Sequence, residues 1–255
     1  MTESLQMIRA EIDVRDFQRW MGMRRLQDPD HAMHCLLVES FGKDLAPKPF
    51  RVMTPRGGRN GCLYGYARSD ADALRAEAGI CADPLQAAII PADRIESKFM
   101  PTEWQSGRKL GFDVRVRPVV RLERDTSRIP SHIQRSFKEG GLRPGKECDA
   151  FLWKAIQHPK GEMQDSREEV YRDWLAKRLK KCGAAELCVD ETTLVSFQRT
   201  RAIRRRHSRY SEGPDALMRG NLVITDGDAF ANLLAQGVGR HRAYGYGMLL
   251  LRPAH

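Results

Sequence analysis

The order of strands and helices that the sequence predicts indicates an α+β protein, because one six-element pattern occurs twice along the chain. Apolar periodicity and turn residues in the first half give the order strand, helix, strand, strand, helix, strand. The second half follows the same order with insertions. Since this order is that of the ferredoxin-like fold, we predict two tandem ferredoxin-like domains, an N-terminal one over residues 1–100 and a C-terminal one over residues 106–255.

The first strand is predicted at residues 4–13, and a helix follows it. Asp28 and Pro29 open this helix, because aspartate caps free backbone N–H groups and proline fits the first helical position. The helix is expected to extend to about Phe41. Residues that recur in it at helical spacing should face the core, namely Met33, Leu36, Leu37, Ser40 and Phe41.

A hairpin, a second helix and a further strand complete the first half. Segments 49–55 and 62–67 are predicted to pair as a hairpin across a glycine-rich turn. The alanine-rich segment 69–79 predicts a helix that stops at its final glycine. The apolar run 85–90 predicts the fourth strand, and residues 97–108 are expected to form a linker.

The second half opens on a strand at 111–122, in which apolar residues alternate with charged ones at its start. A long basic loop over 121–147 is expected after it. Ser166 and Glu169 have the spacing of a capping box, at the start of a helix that Gly183 closes. We predict helices at 147–157, 166–181 and 228–236, and strands at 186–190, 193–201, 220–225 and 248–252.

Composition limits the class of protein. Of the 255 residues 41% are hydrophobic and 30% are charged, which is typical of a globular protein. No apolar run approaches the roughly 20 residues that a membrane span needs, and the first residues lack a signal-peptide core. The six cysteines form no Cys-x-x-Cys pair, which argues against a zinc ribbon and favours reduced thiols. We therefore expect a cytoplasmic protein with no membrane association.

The positive charge of the chain is concentrated in a way that indicates RNA binding. The formal net charge is +10, and no acidic residue lies between Thr192 and Ser211. Guanidinium groups so close together repel one another unless an anion neutralises them. A ferredoxin-like sheet is the scaffold of the common RNA-recognition module, which favours RNA over duplex DNA. We expect RNA contacts from Arg199, Arg201, Arg204, Arg205, Arg206 and Arg209, the alternative being a solvated loop.

A glycine-rich loop over residues 237–247 follows the last helix and precedes the last strand. Dinucleotide-binding loops have the opposite order, and no Gly-Lys-Ser/Thr is present, so a nucleotide cofactor is not expected. Glycines allow a phosphate backbone to approach main-chain N–H groups, and arginines add charge. The alternative is a helix cap followed by a tight turn. We expect Gly237 to cap the helix and the loop to contact RNA through Gly237, Gly239, Arg240, Arg242, Gly245 and Gly247.

The loop resembles the signature loop of the CRISPR endoribonucleases that process repeat RNA. Residues 233–253, LLAQGVGRHRAYGYGMLLLRP, are particularly similar to the C-terminus of the CasE branch, which belongs to the Cascade complex of type I-E systems. Segment 220–237 fits the same family. Segment 28–41, DPDHAMHCLLVESF, resembles the family's first helix with its catalytic histidine. Segments 147–152 and 167–179 are also similar.

The resemblance implies a metal-independent endoribonuclease that cuts CRISPR repeat RNA at the base of a hairpin and remains bound to its product as a Cascade subunit. It places the catalytic histidine at His34. His31 lies one turn earlier on the same helix face, where several members carry a tyrosine. A histidine there could carry a proton or bind phosphate, or be inert. A metal cluster at His31, His34 and Cys35 lacks partners at ligand spacing, so no metal is expected.

Such an enzyme uses the 2′-hydroxyl of the RNA as nucleophile, with a general base and a general acid, and leaves a 2′,3′-cyclic phosphate and a 5′-hydroxyl. Histidine suits either role because its reference pKa is about 6.5. Two alternatives remain open. The first is a non-catalytic scaffold subunit that binds the RNA hairpin, and the second is a ferredoxin-like protein that binds a small molecule or the ribosome.

Overall fold

The computed structural model describes residues 4–55, 57–123, 142–158, 162–202 and 211–254, together with Ile133. The strands of the first half are β1 (Gln6–Asp13), β2 (Phe50–Met53), β3 (Asn60–Ala67) and β4 (Ile95–Phe99). Its helices are α1 (Val14–Met23), α2 (Pro29–Leu45), α3 (Ala71–Cys81) and α4 (Pro84–Ile89). A 3-10 turn at Ala92–Arg94 leads into β4.

The second half contains strands β5 (Lys109–Val116), β6 (Val119–Arg121), β7 (Glu147–Asp149), β8 (Ala185–Ala202), β9 (Ser211–Ile224) and β10 (Leu249–Arg252). Its helices are α5 (Ala150–Gln157), α6 (Arg167–Lys181) and α7 (Gly227–Gln236), and a 3-10 turn covers Arg242–Tyr244. Among the helices of the described ranges, none combines the length and the apolar character that a bilayer crossing requires.

Two antiparallel sheets of four strands confirm the predicted fold class. The first has the order β2-β3-β1-β4 and the second the order β10-β5-β9-β8. In each sheet, the strand that comes first in the chain lies between the strands that come third and fourth, which is the ferredoxin-like arrangement. Strands β6 and β7 form a small separate pair. The division into domains at residues 100–106 stays a prediction.

Two predictions in the first half are wrong. Residues 85–89 belong to helix α4 and Ile90 caps its end, because Asp83 and Gln86 form a capping box and Pro84 occupies the first helical position. A short apolar run does not distinguish a strand from a buried helix, so the capping residues determine that this segment is helical. The fourth strand is β4, which overlaps the segment expected to be a linker. Helix α1 was not predicted, and it buries Phe17 and Trp20.

The second half contains corrections of the same kind. Residues 147–149, predicted to begin a helix, form strand β7, and the strand predicted at 111–122 is divided into β5 and β6. The segments predicted as two short strands, 186–190 and 193–201, form the single strand β8, which pairs with β9 along nearly its whole length. Register shifts between Cys188 and Thr193 and between Leu194 and Ser196 explain why the sequence pattern breaks there.

Helix α2 packs its apolar face on the first sheet, as predicted. The buried residues on this face are Met33, Leu36, Leu37, Ser40 and Phe41. The other face of the helix turns toward the second half of the chain. Two of the contacts that tie the halves together are hydrogen bonds: Tyr66 of β3 donates to the carbonyl oxygen of Leu249 (2.8 Å), and Asp113 of β5 accepts from Arg51 of β2 (2.8 Å).

The Tyr66 hydrogen bond predicts a measurable contribution to stability. Tyr66→Phe leaves the buried carbonyl group of Leu249 without its hydroxyl partner, so we expect the free energy of unfolding to fall by about 1–2 kcal/mol. Tyr64→Phe on the same strand is the control, because Tyr64 is only partly buried, and its loss should be smaller. Urea denaturation of both variants measures this, and equal losses would contradict the assignment.

Candidate active site

Helix α2 presents His31 and His34 on the face opposite the core. The carboxylate of Asp28 caps the helix, accepting hydrogen bonds from the main-chain N–H groups of Asp30 (3.0 Å) and His31 (3.2 Å). Because residues three apart lie on one side of a helix, the two imidazoles are neighbours. Both side chains are half-buried rather than sealed in the core.

Tyr244 of the glycine-rich loop contacts both imidazoles. The centre of its ring lies 5.2 Å from that of His34, edge to face, and 6.1 Å from that of His31. The fold therefore brings together the two sequence motifs at the ends of the chain. Tyr244 was not among the predicted site residues. The only signal for it was an aromatic residue placed between the glycines.

Cys35 is the second neighbour of His31. Its sulfur lies 3.6 Å from Nε2 of His31, one helical turn away. Burial raises the pKa of the Cys35 thiol, with a further contribution from Glu39, so the thiol stays protonated at neutral pH. The contact restrains the His31 ring on the helix surface.

Arg115 of β5 joins α2 to the second sheet. Its guanidinium makes paired hydrogen bonds to Asp30 of α2 (2.8 and 2.9 Å) and to Asp215 of β9 (2.9 and 2.8 Å). It also contacts Tyr246, whose hydroxyl is 3.2 Å away and whose ring centre is 4.3 Å away. Paired bonds of this type are strong and directional, so they fix the first turn of α2 against the loop.

The electrostatics of this cluster follow from burial and pairing. Burial alone would lower the pKa of Arg115, but its hydrogen bonds to Asp215 and Asp30 raise the pKa above its ordinary value. Burial would raise the pKa of Asp215, yet hydrogen bonding to Arg115 holds this pKa below its usual range. Burial raises the pKa of Tyr246 to about 12, so its phenol is neutral. Burial raises the pKa of Asp30 above its ordinary value, although its pairing with Arg115 opposes this shift.

The glycines of the loop make close contacts with the protein itself. Gly237 ends α7 at φ 75°, which confirms the predicted helix cap. A Cβ on Gly239 would lie 2.9 Å from the Trp174 ring, and one on Gly247 would overlap the carbonyl oxygen of Val238. The main-chain N–H of Gly247 donates to the carbonyl oxygen of Arg115 (2.7 Å). These glycines therefore permit packing, and their contact with RNA stays a prediction.

The basic residues of the loop are engaged in bonds within the chain. Glu147 accepts from Arg240 (2.7 Å) and from Nε2 of His241 (2.7 Å). Burial would raise the pKa of Glu147, but His241 and Arg240 keep it below its ordinary value. Arg242 donates to the carbonyl oxygen of Gln236 (2.7 Å). The part that Arg240 and Arg242 play in binding RNA is untested.

Two residues of the arginine-rich segment lie in the part of the chain that the structure describes. Arg199 and Arg201 lie near the end of β8 and pair with Glu212 of β9 at 3.8 and 2.6 Å. Their side chains are more than half exposed. The other predicted RNA contacts, Arg204, Arg205, Arg206 and Arg209, lie outside the described residues.

A cavity of about 340 Å³ lies between the start of α2 and the second half. It is lined by Asp28, Pro29, Asp30, Arg115, Arg117, Gln198, Thr200, Arg201, His241, Tyr244 and Tyr246. Neither His31 nor His34 lines it, but Tyr244 belongs both to its wall and to the imidazole pair. Within the described ranges, no group of three or more His, Cys, Asp or Glu residues could hold a metal ion.

The close approach at Gly247 gives a test of the loop. Gly247→Ala forces a side chain against Val238 at a φ of 81°, so we expect a loss of more than about 2 kcal/mol in the free energy of unfolding. Gly79→Ala is the matched control, because Gly79 lies in α3 with no atom near its added Cβ, and it should stabilise by about 0.5–1 kcal/mol. Thermal melts of both variants check the pair, and a neutral Gly247→Ala would refute the packing role.

The fold has clear structural relatives. Cse3 of Thermus thermophilus, bound to an RNA representing a pre-cleavage complex, superposes with a TM-score of 0.64 at 17% identity, covering 98% of this chain and 100% of that one. Cas6e from Escherichia coli K-12 superposes with a TM-score of 0.51 at 18% identity, covering 97% and 99%. A chain of a CRISPR RNA-guided surveillance complex has a TM-score of 0.54 at 14% identity, covering 97% and 99%.

These identities are low, so the superpositions show the shared fold. No curated protein sequence matches the chain. A family model described as CRISPR associated protein matches residues 5–253, which is nearly the whole chain. The resemblance seen in the two end motifs is confirmed by this match. The chain therefore belongs to the CRISPR associated protein family.

Proposed function

We propose that this protein is an endoribonuclease that cleaves CRISPR repeat hairpin RNA. The observation that carries the proposal is the contact of Tyr244 with both His31 and His34, beside a cavity lined by arginines. The relatives add support, since Cse3 is described as a CRISPR endoribonuclease and has been solved with a 19-nt RNA. A net charge of +10 suits a polyanionic substrate.

The proposed reaction uses no metal. A general base removes the proton of the 2′-hydroxyl, whose oxygen attacks the adjacent phosphorus while the bond to the 5′-oxygen breaks. A general acid protonates that oxygen, leaving a 2′,3′-cyclic phosphate and a 5′-hydroxyl. His34 and His31 are the proposed proton carriers, since imidazole exchanges protons near neutral pH and both rings project from one helix face.

The surroundings of the pair suit this chemistry. Tyr244 limits the motion of His34 from the loop side, and Cys35 limits that of His31 from the helix side. Fixed geometry matters because a positioned acid or base contributes about 10²–10⁴-fold to a proton-transfer step. Cationic side chains near the cavity would stabilise the charge that develops on the phosphate.

We also propose that the enzyme keeps its product and acts as a subunit of a Cascade complex in the cytoplasm. A chain of a CRISPR RNA-guided surveillance complex shares this fold over 97% of the present chain. An enzyme that stays on its product turns over once, so a modest rate constant suffices. Its partners would be the CRISPR repeat RNA and the other Cascade subunits.

His34→Ala tests the catalytic assignment. We expect the single-turnover rate constant for repeat RNA to fall about 10²–10⁴-fold with little change in Kd, because a proton carrier is lost and the binding surface is kept. His158→Ala is the control, since His158 is an exposed histidine at the end of α5. Gel assays in EDTA measure cleavage, and RNA with a 2′-deoxy residue before the cut should bind without being cleaved.

Two results would overturn this proposal. Cleavage that needs Mg²⁺ would contradict the metal-independent mechanism. If the wild-type protein and His34→Ala both bind the hairpin tightly and neither cleaves it, the protein is an RNA-binding scaffold instead.

Tyr244 offers a separate test of the imidazole geometry. An edge-to-face contact contributes about 0.5–1.5 kcal/mol, so Tyr244→Leu should slow cleavage by about 2- to 10-fold at saturating protein. Tyr244→Phe keeps the ring and should retain the wild-type rate constant. A loss as large in Tyr244→Phe as in Tyr244→Leu would show that the hydroxyl group, and not the ring contact, is required.

A further inference from the structure

Arg117 is a buried cation that has no carboxylate partner among the residues that the structure describes. It follows β5, is 5% exposed, and lines the cavity of about 340 Å³ beside Tyr244. Its guanidinium donates to the carbonyl oxygen of Thr200 (3.3 Å) and lies over the Tyr246 ring at 5.6 Å. Across the described ranges, no carboxylate lies within ion-pair distance of it. Arg51, buried to a similar degree, pairs with Asp113 at 2.8 Å.

The acidic groups that interact electrostatically with Arg117 are Glu147 and Asp215, and both are bonded to other side chains. Glu147 is bonded to Arg240 and His241. Asp215 is bonded to Arg115 and accepts from Gln198 at 2.9 Å. A guanidinium does not lose its proton, and burying one without a counter-charge is costly. The position of Arg117 is therefore unfavourable unless an anion enters the cavity.

The chain makes room for this guanidinium. A Cβ atom added to Gly213 of β9 would collide with Nη2 of Arg117, so only glycine leaves the side chain where it lies. The two carboxylates in the cavity wall are occupied, Asp30 by Arg115 and Asp28 by the N–H groups that begin α2. The exposed Arg201 adds a second cation to the lining.

We propose that this cavity is a phosphate subsite, and that its ligand is the RNA phosphodiester that neighbours the one being cut. The proposal rests on the proposed endoribonuclease function. Tyr244 connects the two places, because it lines the cavity and touches His34. The planar guanidinium of Arg117 binds the phosphate through its N–H groups, and Gln198 and Thr200 present neutral polar groups to the attached nucleotide.

Arg117→Met tests the role of the charge in binding. We expect affinity for an uncleavable 2′-deoxy repeat RNA to fall about 10- to 100-fold, and the slope of log K against log salt to flatten by about one. Arg117→Lys keeps a charge without the fork and should recover part of the affinity. Arg94→Met removes an exposed arginine paired with Glu11 and should bind like the wild type.

The stability of the variant separates this role from a structural one. Removing a buried, uncompensated charge should leave the melting temperature of the free protein unchanged or higher. If Arg117 had a structural role, its replacement by Met would lower the melting temperature. A lower melting temperature of Arg117→Met together with unchanged affinity would overturn the proposal.

A set of RNAs identifies the phosphate. Each carries one neutral methylphosphonate near the cut. The wild type should bind one RNA, with the methylphosphonate at a non-scissile position, more weakly than the unmodified RNA. Arg117→Met should bind that RNA and the unmodified RNA equally well. The subsite is refuted if no non-scissile position shows this behaviour. It is also refuted if the only position at which Arg117→Met loses no affinity is the scissile phosphate. If inorganic phosphate stabilises only the wild type while no methylphosphonate matters, the site takes a free anion and the RNA assignment is wrong. Because these assays measure binding alone, a failure of cleavage by the wild type is scored separately.

Discussion

The candidate site depends on one guanidinium that is held between carboxylates from both halves of the chain. Arg115 of β5 binds Asp30 of α2 and Asp215 of β9, and its carbonyl oxygen accepts from Gly247 in the loop. The helix with the imidazoles, the second sheet and the loop with Tyr244 therefore meet at one residue. Because paired charge-assisted bonds restrict both distance and angle, they orient α2 more tightly than apolar packing alone would.

The same cluster shows how Arg115 on β5 and Arg117, just after the end of β5, differ in their partners. Arg115 has two carboxylate partners, Asp30 and Asp215, which use its guanidinium N–H groups in paired hydrogen bonds. Arg117 has none within ion-pair distance in the described ranges, although it is more deeply buried than Arg115. The cavity that Arg117 lines leaves room for a ligand beside its guanidinium.

Local signals in the sequence predict the elements that carry the site, but they do not predict how these elements meet. Asp28 and Pro29 locate the start of α2, and Gly237 locates the end of α7, because caps act over a few residues. The run 85–90 is misleading because its apolar residues suit a strand as well as a buried helix. The Arg115 cluster and Tyr244 depend on residues far apart in sequence. The alternation of arginine with valine on β5 indicates only a polar face.

The loop that carries Tyr244 contains a strained residue that hydrogen bonds hold in place. His241 has a positive φ of 63°, which costs about 1 kcal/mol or more for a residue with a side chain. Its imidazole is held by Glu147, and its carbonyl oxygen accepts from the N–H of Tyr244 (2.8 Å). Such a conformation persists only where the surroundings determine it, so the strand β7 that supplies Glu147 takes part in aiming Tyr244. These contacts of the loop suit chemistry in which two imidazoles must already be in position when the RNA arrives.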